Sequence, residues 1–238
     1  SEKLPKAFNN YRIVQISDLH DATFGDNQER LVKKVRATNP DAIFLTGDLI
    51  DSRRYDLQNS LDAVEQFVTF TDVYYVLGNH EVAVNRIDEI YEALERLGVQ
   101  ILPNQSLEIE RDGERLTIIG IEDPLMGKEP QQMLDEAMAT VDDKSFKILL
   151  SHRPEIFETY VENAVDVVFT GHAHGGQIRL PFSDGLFAPG QGWFPSQTSG
   201  VHEADETRMV VSRGLGNSVL QQRLFNLPEI VVVDLKSQ

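Results

Sequence analysis

The chain has 238 residues, with 22 Lys and Arg against 38 Asp and Glu, a formal net charge of −16 and no cysteine. The absence of cysteine excludes a thiol nucleophile, a thiolate metal site and any disulfide, and leaves the redox compartment open. The acidic balance argues against nucleic acid as a partner, because binding a phosphate backbone needs clustered Lys and Arg. No apolar run approaches the ~20 residues that cross a bilayer.

In chain order, Tyr11–Ser17 (YRIVQIS) reads as a buried strand. Asp26 and Glu29 then make a capping-box-like start to a helix running toward Thr38. Ala42–Thr46 is a second strand, Leu57–Phe70 a second helix and Val73–Leu77 a third strand, followed by a helix from about Arg86 to Leu97. This is the spacing of βαβ units, which predicts a parallel sheet. Ser106–Arg111 and Arg115–Ile121 flank an Asp112-Gly113 hairpin turn. A helix near Gln131–Thr140 precedes strands at Phe146–Ser151 and Val165–Thr170, with Pro154 suited to the first turn of the helix between them. The last third predicts strands near Gln177–Leu180, Met209–Ser212 and Glu229–Leu235. Pro181 to Thr207, rich in Gly, Pro and aromatics, reads as one long loop, usually a functional or disordered feature. No repeat or linker divides the chain, so one domain over 1–238 is expected.

The C-terminal ends of the predicted strands carry a pattern. "SDLH" presents Asp18 and His20, "TGDLID" Asp48, "LGNHE" Asn79 and His80, "LLSHRPE" His152 and "TGHAHGG" His172 and His174. Open α/β sheets place their ligand sites at such strand ends. On extended backbone, residues two apart share a face, so Asp18/His20 and His172/His174 would each grip a common site. Each piece alone has an ordinary reading as a loop pair or turn; the joint occurrence points to metal ligation. Two Asp, one Asn and several His without Cys suit Mn, Fe or Zn, and not an all-oxygen Ca or Mg cage. The donors exceed the needs of one four-coordinate ion, so two divalent metals sharing a carboxylate are expected.

The ordered series Asp-x-His, Gly-Asp, Gly-Asn-His, His, Gly-His-x-His, from about Tyr11 to His174, resembles the calcineurin-like metallophosphoesterases. The resemblance implies an α/β fold, a four-layer α/β/β/α sandwich of two mixed sheets with a binuclear centre at the sheet edges. It implies that Asp18, His20 and His174 hold one metal, Asn79, His152 and His172 the other, and that Asp48 bridges them. Manganese is placed first among the candidate ions. The implied activity is phosphoester hydrolysis, with a diester favoured over a monoester or pyrophosphate. A hydroxide between the ions would attack phosphorus, and His80 would protonate the leaving oxygen. The alternative for His80 is to orient Asn79. The family's second motif often reads Gly-Asp-x-x-Asp-Arg, whereas Ser52 follows Asp51 here, so no role is carried over to that arginine. Asp51 reads as a carboxylate that either supports the ligands from behind or caps its loop, in preference to a metal ligand.

"HGGQIRLPF", "APGQGWFP", "VSRGLGNS" and "LPEIVVVDL" resemble a bacterial branch whose members commonly carry an N-terminal export or membrane segment and which is similar to UDP-2,3-diacylglucosamine hydrolases. That resemblance implies an extracytoplasmic, membrane- or wall-associated domain, attached through a segment ahead of Leu4, with a cytoplasmic location as the alternative. It also implies a small phosphoester or lipid-linked envelope metabolite as substrate. The oligomeric state is left open, with a monomer favoured. Arg153, Arg179 and Arg213 either contact substrate phosphate or pair with carboxylates. Phe182, Phe187, Trp193 and Phe194 either line a pocket over the metals or pin the long loop to the sheet. His202 reads as a solvated loop residue. Two rival functions are a non-catalytic scaffold of the same fold, which would show eroded ligands, and an amidohydrolase. In amidohydrolases the His-x-His pair follows the first strand, and Asn79-His80 would have no role.

Overall fold

In the computed structural model, which describes residues 2–179, 185–218 and 222–237, strands and helices alternate through the first half. They are β1 (Arg12–Ile16), α1 (Glu29–Arg36), β2 (Ala42–Thr46), α2 (Leu57–Phe67), β3 (Asp72–Val76), α3 (Asn79–Val84), α4 (Ile87–Leu97) and β4 (Gln100–Ile101). There follow β5 (Gln105–Arg111), β6 (Glu114–Gly120), α5 (Pro130–Met138), β7 (Lys147–Leu150), α6 (Phe157–Glu162) and β8 (Val167–Thr170). The last third holds β9 (Phe187–Ala188), β10 (Gly192–Trp193), β11 (Gly200–Ala204), β12 (Thr207–Val211) and β13 (Val231–Asp234).

The strands form two mixed sheets, ordered β13-β1-β2-β3-β4 and β11-β12-β8-β7-β6-β5, and a small β10-β9 ribbon. β1 to β4 run parallel, as do β6, β7, β8 and β12; β13, β11 and β5 pair antiparallel at the edges. Burial on both faces explains the nearly unbroken apolar strands. In β2, Ile43 and Leu45 face the helices α1, α2 and α4, while Ala42 and Phe44 face the other sheet. Ile118, Ile148, Leu150 and Phe169 meet them from the second sheet, whose outer face packs Leu149, Val168 and Met209 against Leu134 and Tyr160. Three apolar layers therefore separate four layers of secondary structure, and the fold is the expected α/β/β/α sandwich. One polar side chain ties the sheets beneath the strand ends: buried Gln15 donates from Nε2 to Thr46 Oγ1 (2.9 Å) and Thr170 O (2.8 Å).

Local expectations need four corrections. Asp26 sits in a short 3₁₀ turn, and the residue before α1, Gln28, is left-handed with no side-chain cap. Gln28 is buried and bonds Phe24 N, Ala22 O and Asn59 O, so tertiary contacts and not a capping box set this helix start. α3 begins directly at Asn79, where a loop was expected. Gln177–Arg179 form only isolated bridges, Ile178 with Leu224 and Arg179 with Gly185, because left-handed Gly175, Gly176 and Gln177 interrupt the strand conformation. The expected long loop contains β9, β10 and β11, and its Ala188 is fully buried in the helix-side core. His202 accordingly lies on β11, with Nε2 3.2 Å from Ser199 O. Elsewhere the reading holds: Asp112 and Gly113 are both left-handed, as a tight hairpin turn requires. Pro154 opens the 3₁₀ turn that leads into α6.

Candidate metal centre

Asp18 and His20 follow β1, Asp48 follows β2 and Asn79 follows β3 in one sheet; His152 follows β7, and His172 and His174 follow β8 in the other. The site therefore lies where the C-terminal edges of the two sheets meet. The expected extended backbone at the paired ligands is absent. Asp18 (φ 51°), His20 (49°), Asp48 (51°), His172 (65°) and His174 (47°) are all left-handed. Such residues cost about 1 kcal/mol or more each and persist where surrounding structure imposes them, which is typical of functional loops. Sharp turns, not a shared strand face, bring these side chains together. Glycine permits the loops to touch: a Cβ on Gly47 (φ 87°) would stand 2.6 Å from His152 Nδ1, and one on Gly78 2.4 Å from Asp48 Oδ1.

The donor atoms converge in two groups that share Asp48: Asp18, His20, Asp48 and His174, and Asp48, His152 and His172, all buried. In the first, His20 Nε2 lies 3.1 Å from His174 Nε2 and 3.6 Å from Asp48 Oδ2, and His174 Nε2 lies 3.4 Å from Asp18 Oδ1. In the second, His152 Nε2 lies 3.3 Å from Asp48 Oδ2, 3.1 Å from His172 Nδ1 and 3.2 Å from Asn79 Oδ1. Donors sit about 2.0–2.2 Å from an ion such as zinc, so two donors on one ion lie roughly 3–4 Å apart. The spacing fits.

Hydrogen bonds from the backbone aim these donors. Asp18 accepts the His172 N–H (3.1 Å), and Asp48 Oδ1 accepts the His80 N–H (2.8 Å), which turns Oδ2 toward the histidines. His152 Nδ1 lies 2.8 Å from Thr46 O; donation there leaves the Nε2 lone pair free for a metal. Buried Glu81 was not foreseen. Its carboxylate accepts the N–H groups of Asp48 (3.0 Å), Leu49 (2.7 Å), Ile50 (3.2 Å) and Gly78 (2.8 Å), clamping the two loops that carry Asp48 and Asn79. The signal was present in "GNHE": a glutamate at the third helical position reaching back to Gly78, half of a capping box.

Electrostatics follow from burial. Desolvation lowers His20 to about 4 and also lowers His172 and His174, so these imidazoles are neutral, the form that ligates. For His152, burial is outweighed by the Asp48 carboxylate, which raises it to about 10. Asp48 is held well below its usual value by the same partner, against its own burial. Burial and Asp48 push Glu81 up to about 7, against backbone donors that favour its charged form.

The family model described as Calcineurin-like phosphoesterase matches residues 11–176. The chain belongs to this family. It is 29% identical over 246 residues to the uncharacterized metallophosphoesterase YkuE of Bacillus subtilis, a match covering 100% of this chain and 83% of that one. It is 31% identical over 245 residues to the uncharacterized metallophosphoesterase Cj0846 of Campylobacter jejuni, covering 99% of this chain and 62% of the relative. Among solved structures, a dimetal phosphatase from Danio rerio superposes with a TM-score of 0.53 at 14% identity, covering 95% of this chain and 96% of that one, which speaks to the fold. The calcineurin-like family and the buried Asp and His clusters together make this a metal-dependent phosphoesterase with a divalent-metal site.

His80 stands beside the cluster, its ring 4.5 Å from that of His20. Its Nδ1 accepts the Ser52 N–H at 3.0 Å, which leaves the proton of a neutral ring on Nε2. Asp51 is buried and accepts Arg53 N–H and the Arg54 guanidinium, the capping role expected of it. Arg153 is held by buried Asp123 (2.6 and 3.0 Å) and Glu155 (3.2 Å), and its Nη1 lies 2.8 Å from His172 Nε2. Arg213 pairs with Glu229, and Arg179 bonds Gly175 O and the Ser199 hydroxyl. Trp193 and Phe194 are 69% and 78% exposed, and Trp193 touches Phe187 edge-on. Phe182 lies outside the described residues. Arg223 was also unforeseen; it donates to the carbonyls of Arg213, Gly214 and Gly216, stapling the loop that packs behind Asp18 and His20.

Proposed function

We propose that this protein is a binuclear metal-dependent phosphodiesterase in which His80 acts as general acid. The observation that carries the reading is the pair of buried donor groups sharing the Asp48 carboxylate. Asp18, His20 and His174 would hold one ion, Asn79, His152 and His172 the other, and Asp48 would touch both. Bound there, two divalent ions would neutralise phosphoryl oxygens and acidify water near neutral pH.

The residues of the chain supply position and a proton. Glu81 fixes the loops of Asp48 and Asn79, and Thr46 O orients His152. His80, with Ser52 donating to Nδ1, presents Nε2–H to the leaving oxygen. No side chain is needed as nucleophile. The exposed aromatics Trp193 and Phe194 favour a substrate whose leaving portion has apolar bulk, such as a lipid-linked envelope metabolite. The test is hydrolysis of bis-p-nitrophenyl phosphate and p-nitrophenyl phosphate by the purified chain with Mn, Fe or Zn. Cleavage that requires metal and favours the diester supports the reading; inactivity with every ion defeats it.

A further inference from the structure

A hollow of about 500 Å³ opens beside the centre, lined by His20, Asp21, Phe24, Arg54, Leu215 and Gly216. Past Phe24 and Leu215, which line both, lies a second hollow of about 640 Å³ between α1 and the edge strand β13. Binding sites for small molecules commonly measure roughly 300–1,000 Å³ and combine apolar walls with a few convergent polar groups. The second hollow has that character. Leu31, Leu215, Ile230 and Val232 give it an apolar floor, while Arg30 and Lys34 stand at its α1 wall.

The charge arrangement is specific. Arg30 and Lys34 are four residues apart on α1, one turn above each other, where like charges repel. Both are exposed, and among the described residues neither pairs with a carboxylate. On a chain of net charge −16, two adjacent unneutralised cations are an attractive point for an anion. The acid in the same wall, Glu229, is engaged by the Arg213 guanidinium and N–H, so it does not quench them.

We propose that this hollow is a specificity subsite that takes an apolar chain ending in an anionic group, delivered as the portion of the substrate remote from the reacting phosphorus. Its link to hydrolysis rests on the phosphodiesterase reading; its ligand chemistry does not. The phosphoryl group would lie at the Asp48 cluster, the chain would pass Phe24 and Leu215, and the anion would meet Arg30 and Lys34.

The metal-loaded protein tests this with decanoate as probe, followed by calorimetry beside acetate. Decanoate should bind at least about tenfold more tightly than acetate. The double variant Arg30→Glu/Lys34→Glu and the separate variant Val232→Asp should each weaken it by about tenfold or more. Val232 is 43% exposed, so the second variant leaves the core alone. Methyl p-nitrophenyl phosphate should be cleaved as before by both, while p-nitrophenyl 9-carboxynonyl phosphate should lose efficiency through KM. Equal decanoate affinity in wild type and both variants overturns the subsite, as does a matched loss on the methyl diester. Decanoate binding lost in the variants, from a protein that cleaves neither diester, would overturn the phosphodiesterase reading and leave the subsite standing.

Discussion

Glu81 and Asp48 are joined through the backbone: the buried Glu81 carboxylate accepts the Asp48 N–H at 3.0 Å while also taking the N–H groups of Leu49, Ile50 and Gly78. The carboxylate therefore sets the course of the loop that presents Asp48, the residue common to both donor groups. Glu81→Gln turns an amide donor toward N–H groups that need an acceptor. Losing a hydrogen bond to a charged group costs about 1.5–3 kcal/mol. Thermal unfolding at a pH above the Glu81 value of about 7, where the group is ionised, should show a loss of that order, and metal titration a weaker affinity. An unchanged midpoint with unchanged metal content would remove Glu81 from this role.

His80 is tested by His80→Ala. Metal content should stay near that of the wild type while turnover falls roughly 10²–10⁴-fold. The deficit should shrink for esters with good leaving groups, which need little protonation. Loss of metal instead would make His80 a ligand or an anchor for Asn79.

The histidine shifts predict proton release. At pH 7 His152, raised to about 10, carries a proton that a metal must displace, whereas His20, lowered to about 4, carries none. Loading the metal-free chain should therefore release at least about one proton, readable by calorimetry in buffers of different ionisation enthalpy. The sign for stability follows. The protonated His152 stabilises the metal-free fold fully below its unfolded value of about 6.5, and this contribution is lost as pH rises through about 10. Metal binding with no proton uptake by buffer, or metal-free stability rising across that window, would contradict the assignment.

Trp193 and Phe194, being 69% and 78% exposed, contribute little packing. Replacing both with Ala should change stability by less than about 0.5 kcal/mol. It should raise KM for a bulky or acylated diester and spare a small aryl phosphate. A fall in melting temperature with equal losses on both substrates would make them a packing device.

What could be read from the sequence was set by local chemistry. Apolar runs such as AIFLT located strands because burial on both faces demands them, and ligand residue types at successive strand ends disclosed the metal centre. Asp112-Gly113 gave its hairpin because Asp and Gly enter the left-handed turn at low cost. What stayed hidden depended on partners distant in the chain. Gln28 begins α1 through Asn59, and Arg153 is tethered by Asp123 thirty residues earlier. The left-handed backbone at Asp18, His20, His172 and His174 has no periodic signature, so the extended geometry inferred for those pairs was replaced by turns. The strand expected at Gln177 failed because consecutive left-handed residues outweigh the apolar pattern that follows.

The measurement that bears most directly on the central claim is the stoichiometry of manganese bound by the metal-free chain, followed together with bis-p-nitrophenyl phosphate hydrolysis and repeated on Asp48→Asn. Two donor groups share that one carboxylate, so the wild type should bind about two ions per chain as activity rises. The variant should lose affinity for both ions and most of its turnover. Full activity with a single ion, or a variant that keeps both ions and normal turnover, would contradict the binuclear account.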